Sequence, residues 1–267
     1  MSLKATPPKD MTPEHLTPEE MGSRLLYRDG LMLIINKPAG LAVHKGPKGG
    51  ASLEDYFDAL RFGLPRMPAL AHRLDKETSG CLVLGRHRKA LADLNDLFRY
   101  GKVGKTYWAV VEGGPAEPEG RIDLPLGRLD DKIGWWMKHD PDGLPSQSTW
   151  KVMGRTQGVT WLALEPLTGR THQLRVHCAE SGFPVLGDNI YGTAPRHGGP
   201  RLHLHAREIT VPLYKNKPPV KVTAPVPEHM KERLKACGWN EDDDKALPPP
   251  LGLSSRARTN ERAPKPQ

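Results

Sequence analysis

Residues 31–36, LMLIIN, form an uninterrupted apolar run that Lys37-Pro38 closes. A run this short, ended by a proline, predicts a buried strand. Ser52 stands just ahead of Glu54 and Asp55 and of apolar positions reaching Leu60, the pattern of a short amphipathic helix with Ser52 as N-cap. Residues 81–84 read as strand again. Leu91, Leu94, Leu97 and Phe98 then recur at helical spacing over 89–100, with Gly101 as the stop. The segments 105–112 (KTYWAVVE), 148–153 and 159–165 (VTWLALE) are β-rich and bounded by Gly, Pro or polar turns, so each predicts a strand. A helix is predicted over 171–180, ending before Ser181-Gly182, and strands over 205–211 and 220–224. Successive strands broken by single helices predict a mixed α+β sheet rather than regular βαβ winding.

The polar stretches delimit the folded part. Residues 1–20 are rich in Pro, Thr and charge and predict a disordered tail. From Gly238 the chain runs through EDDD, PPP and SSRARTNERAPKPQ, which predicts a second tail over 238–267. That leaves 21–237 as one folded unit, and 267 residues suffice for one large domain with its own core. No run approaches the ~20 apolar residues that cross a bilayer. The N-terminus lacks the apolar core of a signal peptide, so the cytoplasm is the expected compartment. Cys81, Cys178 and Cys237 are widely spaced without a CxxC pair, which fits neither a disulfide framework nor a zinc ribbon. The net charge of +8 and pI near 9.4 favour a polyanionic partner.

Candidate chemistry concentrates in His72-Arg73-Leu74-Asp75-Lys76-Glu77-Thr78-Ser79-Gly80. A lone Asp is usually a turn former or a surface charge. Asp75 instead precedes a buried strand and is surrounded by cationic groups, where a carboxylate can stay ionised at low dielectric, as a reactive one must. A metal site built from His172, His177, His203 and His205 is the first rival. His203 and His205 would share a strand face, but no carboxylate or Cys cluster accompanies them, and no metal is expected. Ser79 as a nucleophile lacks GxSxG and reads as part of a turn. No GxGxxG after a strand, GxxxxGK[ST] or HExxH is present, so nucleotide-cofactor and zincin chemistry are not indicated.

HRLDKETSG resembles the signature of the RluA-type RNA pseudouridine synthases. Residues 33–46 (LIINKPAGLAVHKG) resemble the strand and loop preceding that signature, and Lys105-Thr106-Tyr107-Trp108-Ala109 resembles the family's KxYxA segment. LTGRTHQLRVH over 167–177, VLGDNIYG over 185–192 and LHAREITV over 204–211 resemble the blocks that follow, in the family's order. The resemblance spans roughly residues 25–225.

It implies a mixed, mostly antiparallel sheet in two continuous subdomains with the active cleft between them. It implies an isomerase that converts a specific uridine of structured ribosomal or transfer RNA to pseudouridine, without cofactor or metal. Asp75 would be catalytic, Arg175 its ion-pair partner, and Tyr107 the aromatic that stacks on the flipped base. Leu174 would line the base pocket, Arg73 would help fill the space the base leaves, and His72 would support the same loop. Arg170 and the loop 44–50 (HKGPKGG) would contact phosphates, and Trp135 and Trp136 would anchor a hairpin or stack on bases. About 22 residues precede the first strand, too few for the S4-type RNA-binding domain many relatives carry. A monomer is the default. The other functional class is an RNA-binding protein without chemistry; such a protein would have no physical reason to keep Asp75, Tyr107 and Arg175 together.

Overall fold

The apolar run at 31–36 is uninterrupted because both of its faces are covered. Leu33 and Ile35 pack in one core cluster while Met32 and Ile34 pack in another, all four fully buried. The structure, a computed structural model, describes residues 16–46, 49–130 and 135–245. In chain order the elements are α1 (Pro18–Ser23), β1 (Leu25–Arg28), β2 (Met32–Lys37), a 3₁₀ turn (Leu53–Tyr56), β3 (Ala69–Leu70), β4 (Ser79–Gly85) and α2 (Arg88–Arg99). Then come β5 (Gly104–Glu112), β6 (Glu119–Asp123), β7 (Leu126–Arg128), β8 (Met137–His139), β9 (Gln147–Thr156), β10 (Val159–Pro166) and α3 (Gln173–Glu180). β11 (Leu204–Val211), β12 (Val220–Thr223), α4 (Glu228–Ala236) and α5 (Asp242–Lys245) complete them. Among these residues no helix is long and apolar enough to cross a membrane.

Ten strands form one sheet in the order β1-β2-β4-β11-β5-β10-β9-β6, with β12 on β11 and β3 on β4, while β7 and β8 make a separate hairpin. The pairings are antiparallel except between β4 and β11, which meet at Ser79 opposite His205 and Gly80 opposite Ala206. This is the mixed, mostly antiparallel α+β sheet expected from the sequence. The parallel seam is tight: Gly80 has φ +107°, and a Cβ there would lie 2.3 Å from the Ala206 carbonyl oxygen. Only glycine satisfies both conditions. One core lies under β2 and β4, another between β5, β10 and α3, and Tyr107 of β5 packs against both.

Some local expectations fail for physical reasons. The segment 52–60 forms a 3₁₀ turn rather than an α-helix. Asp55 Oδ2 accepts the Ser52 N–H at 2.9 Å, the Leu53 N–H donates to Ala42, and Leu53 and Leu60 are anchored in the core, so local and tertiary bonds replace helical ones. Helix α3 starts at Gln173 rather than 171 because His172 is left-handed, φ 52° and ψ 15°. The expected tails are shorter where the structure describes them. Thr17 caps α1 in a reciprocal box with Glu20, and Met21 is fully buried. Beyond Gly238, Trp239 is 4% exposed in a cluster with Trp161, Met230 and Leu234, and Asp244 pairs with Arg207 at 2.6 Å. The remainder of both predicted tails lies outside the described residues.

Candidate active site

The loop entering β4 is held from below and behind. Lys37, at the end of β2, is fully buried and donates to the carbonyl oxygens of Pro38 (2.8 Å), Leu41 (2.9 Å) and Lys76 (3.1 Å). Burial draws its pKa down to about 7, against the charges of Glu77 and Asp75. Its three N–H groups nevertheless meet three carbonyls, the partner set of an ammonium. Lys76 O also accepts the Gly40 N–H at 2.8 Å, and the Thr78 N–H closes a turn on Asp75 O at 3.1 Å. Between these ties the Asp75 side chain, 20% exposed, faces a cleft of about 830 Å³.

The opposite wall comes from β5 and α3. Tyr107 is half-buried beside Asp75; burial and then the Asp75 charge push its phenol well above the ordinary value, so it carries its proton. Leu174, 6% exposed, lines the same cleft. Arg175 departs from the expected pairing. Its Nε and Nη2 donate to Asp188 Oδ2 and Oδ1, both at 2.7 Å, a bidentate pair in which both side chains are buried. Burial works against both charged forms. The Arg175–Asp188 bonds outweigh it, raising the Arg175 pKa, to which the Asp75 charge adds, and lowering that of Asp188. Asp188 also accepts the N–H groups of Ile190 (2.9 Å) and Tyr191 (3.0 Å). Arg175 thus faces Asp75 electrostatically while its hydrogen bonds are spent on Asp188.

The RNA pseudouridylate synthase family model matches residues 31–180, which carry Asp75, Tyr107 and Arg175. The chain belongs to the RluA-type RNA pseudouridine synthase family. An uncharacterized RNA pseudouridine synthase of Zymomonas mobilis is 41% identical over 210 residues, 78% of this chain and 95% of that protein. The ribosomal large subunit pseudouridine synthase C of Vibrio vulnificus is 35% identical over 222 residues, 80% of this chain and 69% of that one. Among solved structures, human RNA pseudouridylate synthase domain containing 4 matches with a TM-score of 0.68 at 27% identity, over 82% of this chain and 95% of that chain. The protein is therefore an RNA pseudouridine synthase, an isomerase.

The synthase's remaining sequence-predicted residues separate into cleft and scaffold. Arg73 is exposed and donates to Thr171 Oγ1 at 3.2 Å, joining the two loops at the cleft mouth. Arg170 lines the cleft with its Nε donating to Pro145 O at 3.3 Å. His72 is a scaffold residue as well as a lining one. Its Nε2 accepts the Val83 N–H at 3.0 Å, its ring stacks on Phe98 at 4.3 Å, and desolvation lowers its pKa to about 3. A neutral imidazole so engaged pins the loop to β4 and has little left to offer a phosphate. In the loop 44–50, His44 pairs with Glu54 and Lys45 with Asp55, away from the cleft, and residues 47 and 48 lie outside the described residues. Trp135 is 58% exposed on the β7–β8 hairpin, and Arg196 lies over the Trp136 ring at 5.1 Å.

The four candidate metal histidines do not converge. His177 bonds Ser148 and Leu124, His203 bonds Arg201, and His205 bonds Ser79, while His172 lies in the cleft. Among the described residues no group of three or more His, Cys, Asp or Glu side chains could hold a metal. Ser79, 2% exposed and bonded to His205 at 2.8 Å, is inaccessible as a nucleophile. Sequence reasoning missed Lys37, Lys105, Asp188 and Tyr191 as parts of the site. All four lie inside the blocks that carry the resemblance, which was the available signal. Lys105 lines the cleft, and burial lowers its pKa.

Proposed function

We propose that this synthase isomerises a specific uridine of structured RNA with Asp75 as the catalytic carboxylate, acting in the cytoplasm as a monomer. The observation that carries the reading is the Asp75 carboxylate, turned into a cleft whose rim bears Arg73, Arg99, Lys105 and Arg170. Cations of this kind hold a phosphate backbone, and the cleft between them accommodates a nucleotide extruded from its stack. Similarity to a ribosomal large subunit synthase favours ribosomal over transfer RNA as the target.

The reaction breaks the N1–C1′ bond, turns the uracil and joins C5 to C1′; the C5 hydrogen leaves as a proton and N1 takes one up. Asp75 either bonds C1′ or removes the C2′ proton, each answering the positive charge that develops on the sugar. Tyr107, held protonated, stacks on the base. Leu174 closes the apolar side of the pocket. Arg175, fixed by Asp188, supplies positive potential toward the Asp75 carboxylate. Arg73, at the mouth, fills the place the base vacates.

Total RNA from a strain lacking the gene, incubated with the protein and mapped for pseudouridine by chemical adduct and reverse-transcription stops, tests the target. New stops in large-subunit ribosomal RNA with the native protein, absent with Asp75→Asn, are expected. Stops confined to transfer RNA would overturn the ribosomal assignment. RNA binding without new stops from either protein would favour a binding protein that does no chemistry.

A further inference from the structure

His172 is the nearest polar side chain to Asp75 among the ion pairs described, its Nε2 lying 3.9 Å from Asp75 Oδ1. Its other ring nitrogen, Nδ1, lies 2.8 Å from the Tyr191 hydroxyl. That hydroxyl accepts the Met137 N–H at 2.9 Å, which leaves its own hydrogen to be donated to Nδ1. Nδ1 is therefore the acceptor, and the single proton of the neutral imidazole sits on Nε2, facing the carboxylate. The opposite tautomer would leave the Tyr191 hydrogen unplaced and turn a lone pair toward Asp75.

The surroundings hold this order in place. Tyr191 is fixed by its backbone N–H on Asp188 Oδ1 and by Arg175 stacked over its ring at 5.2 Å. The His172 side chain is 11% exposed, and burial lowers its pKa against the opposing charge of Asp75. Its backbone is left-handed, a costly conformation for a residue other than glycine, and its ring lines the cleft.

We infer that His172 is a positioning residue for Asp75, its tautomer set by Tyr191. This rests on Asp75 being the reactive carboxylate. With RNA bound, the 3.9 Å separation closes to a hydrogen bond from Nε2–H to Oδ1, leaving Oδ2 for the sugar. A neutral donor fixes the rotamer of the carboxylate without neutralising it, as a cation bonded there would.

Single-turnover rates and RNA affinity of three variants test this. His172→Asn suits the left-handed backbone, and its short amide can still accept from Tyr191 but cannot reach Asp75. The expected result is a rate lower by about 10–100-fold, the usual effect of losing an orienting partner, with Kd within about twofold of native. His172→Gln, whose amide reaches the Nε2 position, recovers part of the rate. Tyr191→Phe lowers the rate less than His172→Asn, and the double variant is no slower than His172→Asn alone, because Tyr191 acts through His172. A His172→Asn rate within twofold of native, a loss confined to Kd, or an additive double variant overturns the role. Nitrogen-15 NMR of the native protein adds a readout independent of turnover. The Nε2–H tautomer is expected, and an Nδ1–H tautomer in an active enzyme overturns the role alone. Absence of any turnover by the native protein overturns the functional reading itself.

Discussion

Asp188 is the residue on which the site's charges turn, and only its place in the 185–192 block, not its local pattern, announces it. Its carboxylate neutralises Arg175, accepts two backbone N–H groups and so fixes Tyr191. Asp188→Asn would leave the buried guanidinium without its counter-charge, and removing one partner of a buried pair costs about 3–5 kcal/mol. Urea unfolding should show that loss, together with a rate loss out of proportion to any change in RNA affinity. Lys37→Met would strip a donor from three carbonyls, one of them on the loop carrying Asp75. About 2–4 kcal/mol of destabilisation is expected, and a denaturation midpoint unchanged from native would contradict the anchoring role. That Asp75 faces the cleft was legible because its setting, a carboxylate among cations before a buried strand, is unusual in sequence. The partner of Arg175 was not legible. Asp75 and Asp188 are both nearby acids, and only the path of the loop after α3 decides which takes the bidentate geometry.

At the scale of elements, segments with a regular buried face announced themselves, the four-residue β12 among them, and most of the shortest did not. Strands β2, β5 and β10 and helix α2 lie close to their predicted positions, because each buries a regular face or both faces. Strands β1, β3, β7 and β8 are two to four residues long, too short for a period to register. Helix α4 was missed because Met230 and Leu234 alone are buried among charged residues. The α3 boundary was misread because a left-handed His172 has no signature in periodicity. The β4–β11 seam yields a prediction of its own. Gly80→Ala combines an unfavourable φ with a collision against the Ala206 backbone, so thermal unfolding should fall by well over 5 °C, or the protein should fail to accumulate folded. A melting temperature equal to native would mean the seam is looser than described.

For the whole molecule, the buried histidines tie stability to pH. His205 and His203 have pKa values lowered by burial to about 3 and about 4, below the 6.5 of the unfolded chain. Between pH 6.5 and 4 the unfolded state binds protons that the folded state refuses, so stability falls as pH falls. Each histidine contributes about 1.4 kcal/mol per pH unit across that window. Denaturant midpoints measured from pH 7 to pH 4.5 should decline, steepening below 6.5; a flat profile would show that these rings take up protons in place. The fold also places the cations Arg73, Arg99, Lys105 and Arg170 and the Asp75 carboxylate on one cleft.

The Asp75 carboxylate in this cleft is proposed to carry the isomerisation of uridine. This role is tested most directly by tritium release from large-subunit ribosomal RNA labelled at uracil C5, since that hydrogen leaves only when C5 bonds the sugar. The native protein should release tritium to a fixed stoichiometry per RNA, while Asp75→Asn should bind the RNA with similar affinity and release none above background. Tritium release by Asp75→Asn at a rate near native would contradict the account.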